Sequence, residues 1–273
     1  MSSESFEIFT SLRYDTALKQ VPKLGLAYAG WNYSNESPLY MLDFHRDRLL
    51  RAATYWQWQP VIDSISGEGG LQMLSKTALE FLESQDTPVR LRIVIDSSGK
   101  INFYKFDTPA ATIENLFPES IPEQGAAPGT NQPRSSPLYT LVLDDQRLSR
   151  SAFTHYKTTK RATYDAARQR AGIQPGNPKE VLMINADDGS IMEGSTTTPY
   201  FWRNGRWVTP PVSLQFSNEV GSGGHDGTSR RWALERGLAV EEVVLVDSLI
   251  DGEECWLSNG VSGFIASKVQ LRK

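Results

Sequence analysis

Apolar positions recur along the chain at two periods, and the period assigns the elements. Residues 6–14 (FEIFTSLRY) are rich in β-branched and aromatic types and predict a strand. Asp43 is placed as an N-cap ahead of HRDRLLRAATYWQW, where Leu49, Ala52, Ala53 and Trp56 share one face and Arg and Asp the other. Leu71, Leu74, Ala78 and Leu82 predict a second helix over 70–84. VRLRIVIDSSGKINFYKF reads as two strands about a Ser97-Ser98-Gly99 turn.

The second half begins with a strand at 138–144 (LYTLVLD), followed by a helical run, TKRATYDAARQRAG, stopped at Gly172. EVLMINA (180–186) is an apolar strand closed by Asp187-Asp188-Gly189. PYFWRNGRWVT is a hairpin whose Asn204-Gly205 pair suits a type I′ turn. A helix is predicted through SRRWALERGL, and strands at EEVVLVD and within CWLSNGVSGFIAS. Helices and strands alternate irregularly and no repeat is present, so the expectation is a mixed α/β (α+β) protein. The Pro-, Gly- and Ser-dense stretch 117–137 is the clearest boundary. It divides a small N-terminal α/β domain (1–116) from a larger C-terminal domain (138–273), with itself as the linker.

Composition narrows the function classes. Of 273 residues, 39% are hydrophobic and 22% charged, ordinary values for a globular protein. A net charge of −4 leaves no electrostatic footprint for nucleic acid. One cysteine and three scattered histidines give neither an internal disulfide nor a metal-ligand spacing. No run approaches the roughly 20 apolar residues of a membrane helix, and the N-terminus lacks a signal core. The expectation is a cytoplasmic protein with no metal, no membrane and no nucleic-acid partner.

Four segments carry candidate chemistry. Arg48, in His45-Arg-Asp-Arg48-Leu49, can grip a phosphate in bidentate fashion, or can be a solvated arginine on a helix back. Lys157, in His-Tyr-Lys157-Thr-Thr-Lys-Arg161, stands at a strand–helix junction where a lysine can form an imine; a basic loop is the plainer reading. Glu193 precedes Gly-Ser-Thr-Thr-Thr and is either a carboxylate facing a cofactor ring or a polar strand edge. Gly221-Ser-Gly-Gly-His-Asp-Gly227-Thr228-Ser229-Arg230 opens a helix and reads equally as a phosphate cradle or a mobile surface loop. Asp226 rules out the dinucleotide fingerprint.

In this order, with Leu257-Ser258-Asn259-Gly260-Val261 as a fifth element, the segments resemble the class IV aminotransferase family, the fold-type IV enzymes of pyridoxal 5'-phosphate (PLP). The resemblance runs from Phe6 to Ser267. It implies a two-domain fold like that of D-amino acid aminotransferase, with the active site between the domains, a small-molecule substrate and a homodimer. It implies Lys157 as the catalytic, imine-forming lysine and Arg48, Thr228 and Ser229 at the phosphate. Glu193 is implied at the pyridine nitrogen and Asn259 in the late active-site loop. Thr10, Arg13 and Arg92 are the candidates for substrate contact.

Within the family, the late Ser-Asn-Gly-Val loop, the hydroxyl-rich Phe9-Thr10-Ser11-Leu12-Arg13 strand and the Lys157-x-x-x-Arg161 spacing are similar to the branch of 4-amino-4-deoxychorismate lyases. A transaminase of a D- or branched-chain amino acid or an amine is the alternative. Thr198-Pro199 replaces a usual Asn, and the chain starts almost at the Phe-Glu strand that a hairpin usually precedes, implying a shortened small domain.

Overall fold

The computed structural model describes residues 5–83, 85–127, 129–134 and 137–271. Ser84, the expected end of the second helix, and Pro128, Ser135 and Ser136 of the 117–137 stretch lie outside the described residues. The chain divides into two compact units. Residues 1–113 and 156–160 form one, and residues 114–155 and 161–273 the other. The five residues around Lys157 therefore belong to the first unit while both flanks belong to the second.

The first unit is a three-stranded antiparallel sheet, β1 (Ile8–Tyr14), β2 (Val89–Ile95) and β3 (Ile101–Asp107), in that order. Its helices are α1 (Trp31–Asn35), α2 (Leu42–Tyr55), α3 (Gln59–Ile65) and α4 (Gly67–Phe81). Strand alternation puts Ile8, Leu12, Leu91, Ile93 and Ile95 on one face, all with no exposed surface. Helix α2 packs on β1, and α3 and α4 pack on α2. The predicted periodicity holds, since Leu49, Ala52, Ala53, Leu74 and Ala78 are buried. The β2–β3 turn closes through Asp96, whose Oδ1 accepts from the Ser98 and Lys100 amides at 2.9 and 3.1 Å.

Asp43 is not the N-cap of α2. It sits in the first turn, and Met41 precedes the helix with φ 49°. The start is fixed from upstream by Asn32, which is fully buried. Its Oδ1 accepts from the Met41 amide at 2.8 Å, and its Nδ2 donates to the Ser37 and Leu39 carbonyls at 3.1 and 2.9 Å. A long-range clamp of this kind replaces the local cap that sequence favours.

The second unit is an eight-stranded mixed sheet. Its strands are β4 (Tyr139–Leu148), β5 (Lys179–Asn185), β6 (Ile191–Gly194), β7 (Thr198–Arg203), β8 (Arg206–Thr209), β9 (Val240–Glu241), β10 (Glu254–Asn259) and β11 (Gly263–Gln270). The order is β6-β5-β4-β11-β10-β7-β8-β9. Short helices α5 (Ile113–Leu116) and α6 (Ala152–His155) precede α7 (Ala162–Arg170) and α8 (Thr228–Glu235). Leu141, Leu182, Ile191, Phe201, Val208 and Leu257 build one core, while Val142, Tyr164, Ala167, Val181 and Met183 build a second beneath α7. Asn204 and Gly205 both have positive φ, as the type I′ turn requires. Within this unit Phe117 meets Trp232 at 5.7 Å, and Trp207 donates to the Pro122 carbonyl at 3.0 Å.

The predicted strand EEVVLVD is mostly not one. Of its residues only Glu241 joins the sheet, as the second residue of β9, and a 3-10 turn follows at Val246–Ser248. Between them Val244 is buried and its carbonyl accepts from the Ile191 amide at 2.8 Å, with a single bridge from Leu245 to Ser190. The segment thus passes from one sheet edge to the other, and the sheet curls.

Asn32 gives a direct check on the clamp. Asn32→Ala leaves a buried amide and two carbonyls without these partners, and we expect the first unit to lose about 3 kcal/mol, read as a shift in its urea unfolding curve.

Candidate active site

In the first unit, the lysine segment lies along the free edge of β1. The Phe9 amide donates to the Lys157 carbonyl at 3.0 Å and the Thr159 amide to the Glu7 carbonyl at 2.9 Å, around an antiparallel bridge from Ile8 to Thr158. Pairing opposite Phe9 puts Lys157 on the Phe9 face of the sheet. Its Nζ is 5.1 Å from the Phe9 ring centroid, and the Arg92 guanidinium is 4.0 Å from the same ring. Aromatic packing anchors the segment further, with the Tyr156 ring 4.7 Å from Tyr55 and 5.2 Å from Trp56.

Arg48 approaches from α2. Its Nη2 donates to Thr10 Oγ1 at 2.5 Å, and that hydroxyl lies 2.6 Å from His45 Nδ1. Burial, then the charges of Arg48 and Lys157, hold the His45 pKa well below 6.5. With the ring neutral, Nδ1 can accept a hydrogen bond from the hydroxyl that itself accepts from Arg48. Thr10 therefore links strand to helix and fixes the guanidinium.

The three substrate candidates fall in different places. Thr10 has no exposed surface and points to the helices. Arg13 is also fully buried, with Nε and Nη2 on Asp15 at 2.9 and 2.8 Å and Nη1 on the Pro109 carbonyl at 2.9 Å. Arg92 stands on the Lys157 face, directly across from Ser11.

In the second unit, Glu193 is buried on β6. Tyr164 of α7 donates to its Oε1 at 2.6 Å, and His225 Nδ1 lies 2.7 and 2.8 Å from its two oxygens. Burial and the adjacent Glu193 charge push the Tyr164 phenol well above its usual 10, so it remains a donor. A second buried acid shapes the turn that follows. Glu180 accepts from the hydroxyls of Ser195, Thr196 and Thr197 at 2.5, 2.7 and 3.0 Å and from the Thr196 amide at 3.1 Å. Arg161 and Arg168 close the turn from outside on the Ser195 carbonyl and hydroxyl, at 2.8 and 3.0 Å.

The glycine-rich segment is not a surface loop, for Ser222 through His225 are buried. A Cβ on Gly224 would stand 2.6 Å from the Met192 carbonyl oxygen, so the backbone lies directly against β6. The next residue, His225, is thereby delivered to Glu193. At the start of α8, Thr228 and Ser229 are buried, and Ser229 Oγ joins Ser258 Oγ at 2.8 Å. A Cβ on Gly227 would meet Thr198 Oγ1 at 2.8 Å, so the backbone here packs on β7, and no side chain caps the helix start. Asn259 turns its Oδ1 back onto the Val261 and Ser262 amides at 2.9 and 2.8 Å and so shapes the late loop.

Residues 27–268 match the family described as amino-transferase class IV. The chain belongs to this family. An aminodeoxychorismate lyase of Saccharomyces cerevisiae is 33% identical over 150 residues, 49% of this chain and 38% of the yeast protein. A Schizosaccharomyces pombe protein provisionally named aminodeoxychorismate lyase is 32% identical over 126 residues, 44% of this chain and 51% of its own. The chain thus spans about half the length, or less, of these curated relatives. The fold matches that of a Mesorhizobium loti protein provisionally called an amino-acid aminotransferase, with TM-score 0.65 at 19% identity over 97% of this chain and 99% of that one. Among the described residues, no helix is long and apolar enough to cross a membrane and no cluster could hold a metal ion.

Against this class IV background, three residues at the site carried no sequence signal of their own. Tyr164 shares a helix face with Ala167 and Ala171 and reads as core. Glu180 opens an apolar strand and reads as a solvated end. His225 is lost among glycines, where only its place just before the helix start, with bulky β6 opposite, hints at a packed role.

His45 sets an acid limb of stability. Folded His45 refuses a proton that the unfolded chain takes up below about pH 6.5. Its contribution is present above that pH and is lost as pH falls. His45→Gln should flatten the fall between about pH 7 and pH 5 by up to ~1.4 kcal/mol per pH unit, measured by urea unfolding across that range.

Proposed function

We propose that the chain is a PLP-dependent lyase that eliminates pyruvate from 4-amino-4-deoxychorismate and leaves 4-aminobenzoate. What carries the reading is a division of labour in the donor set. The first unit gathers Lys157, Arg48 and Arg92 around β1, and the second buries an anionic Glu193 beside a bare helix start. These groups fit the cofactor's chemistry. Arg48 and the hydroxyls and amides of Thr228 and Ser229 suit a phosphate. A buried carboxylate suits a protonated ring nitrogen. When bound, PLP acts as an electron sink for charge developing on the carbon next to the substrate nitrogen.

The chain's own residues do the rest. Lys157, as a free amine, takes the ring proton from the carbon bearing nitrogen and returns a proton to the departing three-carbon unit. The carbon–oxygen bond to that unit breaks, its electrons leave with pyruvate, and the ring becomes aromatic. Arg92 binds a substrate carboxylate on the Lys157 face, with Ser11 the hydroxyl beside it. The lyase reading over a transaminase is supported by the names of the two yeast relatives and by the hydroxyl-rich first strand.

The test supplies 4-amino-4-deoxychorismate and follows 4-aminobenzoate fluorescence with coupled detection of pyruvate. Equal amounts of both products are expected, together with a visible cofactor band that borohydride fixes to the Lys157 peptide. Lys157→Ala should lower turnover by about 10²–10⁴-fold. Amino transfer from an amino acid to a keto acid, with no 4-aminobenzoate formed, would replace the lyase by a transaminase. A label on Lys160 would displace the assignment of the lysine.

A further inference from the structure

We propose that His225 is a positioning residue that holds the Glu193 carboxylate ionised and aimed at the ring nitrogen of the bound cofactor; it rests on the function proposed above. Nδ1 lies 2.7 and 2.8 Å from the two carboxylate oxygens, so one ring nitrogen spans both. An ionised carboxylate only accepts, and Nδ1 must therefore bear a proton. Tyr164 also donates to Oε1, at 2.6 Å, and its ring stands 5.7 Å from the imidazole. The carboxylate is thus clamped by donors from two separate elements, the glycine-rich loop and α7.

Backbone packing fixes the clamp. A Cβ on Gly223 would meet Arg150 Cγ at 2.7 Å and Met192 Cε at 3.0 Å, and one on Gly224 would meet the Met192 carbonyl at 2.6 Å. With both positions reduced to backbone, the loop touches β6 and His225 has one place to go. Around it, Arg161 lies over the Tyr164 ring at 4.8 Å, so a cation also faces the assembly from the start of α7. A carboxylate held this way stays charged when buried and does not swing. With Nδ1 committed to Glu193, the imidazole acts on the cofactor through the acid.

The experiment compares wild type, His225→Leu and His225→Asn, loading each apo-protein with PLP and reading the dissociation constant by fluorescence quenching and the visible band at fixed pH. Asn returns an N–H near the Nδ1 position and Leu does not. We expect Leu to weaken PLP binding about ten- to a hundredfold and move the band, and Asn to stay within about threefold of wild type with the band unmoved. Circular dichroism confirms folding. A folded Leu variant with wild-type affinity and spectrum overturns the assignment while the proposed function stands, as does an Asn variant damaged as badly as Leu. Wild type that takes up no PLP fells the proposed function itself. A readout needing no variant is ¹⁵N NMR of the histidines in wild type: His225 Nδ1 is expected to be protonated with and without PLP, and a bare Nδ1 sinks the proposal.

Discussion

A buried carboxylate is tolerable only where donors meet it, and the second unit is arranged around two of them. Glu180 and Glu193 lie on neighbouring strands, β5 and β6, and solve the problem differently. Glu180 is answered by the hydroxyls of one turn, Ser195-Thr196-Thr197, with Arg168 of α7 3.7 Å away, and so turns a polar run into a rigid corner. Glu193 is answered by α7 and by the glycine-rich loop, both distant in sequence. The first arrangement makes a stable turn. The second leaves a charge whose direction depends on tertiary packing.

In the first unit the governing rule is strand alternation. One residue of shift along β1 decides whether a hydroxyl meets the helices or the lysine. Thr10 falls on the helix side with His45 and Arg48, and Ser11 on the side of Phe9, Lys157 and Arg92. The two hydroxyls are adjacent in sequence and chemically alike, yet one positions a guanidinium and the other faces open chemistry. Arg13 shares the Ser11 face but is spent on Asp15 and the Pro109 carbonyl.

What was legible in the sequence was what local spacing controls. The faces of α2 and α4 and the Asn204-Gly205 turn follow from neighbours within a few residues. Asp43 was misplaced because the α2 start is held by Asn32, nine residues before the Met41 amide it binds. EEVVLVD has the right composition for a strand, but its chain crosses between sheet edges, with only Glu241 in a ladder and Leu245 in a single bridge. Lys157 could be picked out as a junction lysine. That its five-residue segment leaves one unit for the other depends on pairing with β1, which no local pattern encodes.

The glycine-rich segment shows how one motif can meet several packing demands at once. As sequence, its glycines read equally as a phosphate cradle or a mobile surface loop. In the structure they divide. Gly227 lets the backbone ahead of α8 lie against the Thr198 hydroxyl. Gly223 and Gly224 serve close packing on β6, which no anion needs. A cradle alone would tolerate a side chain at 224 pointing to solvent; here the nearest atom is a backbone carbonyl, which cannot move aside as a flexible side chain can. The segment therefore does two jobs in sequence, first docking on the strand that carries Glu193, then opening the helix. A single stretch of about seven residues ties the acid and the helix start to each other, so neither can shift without the other.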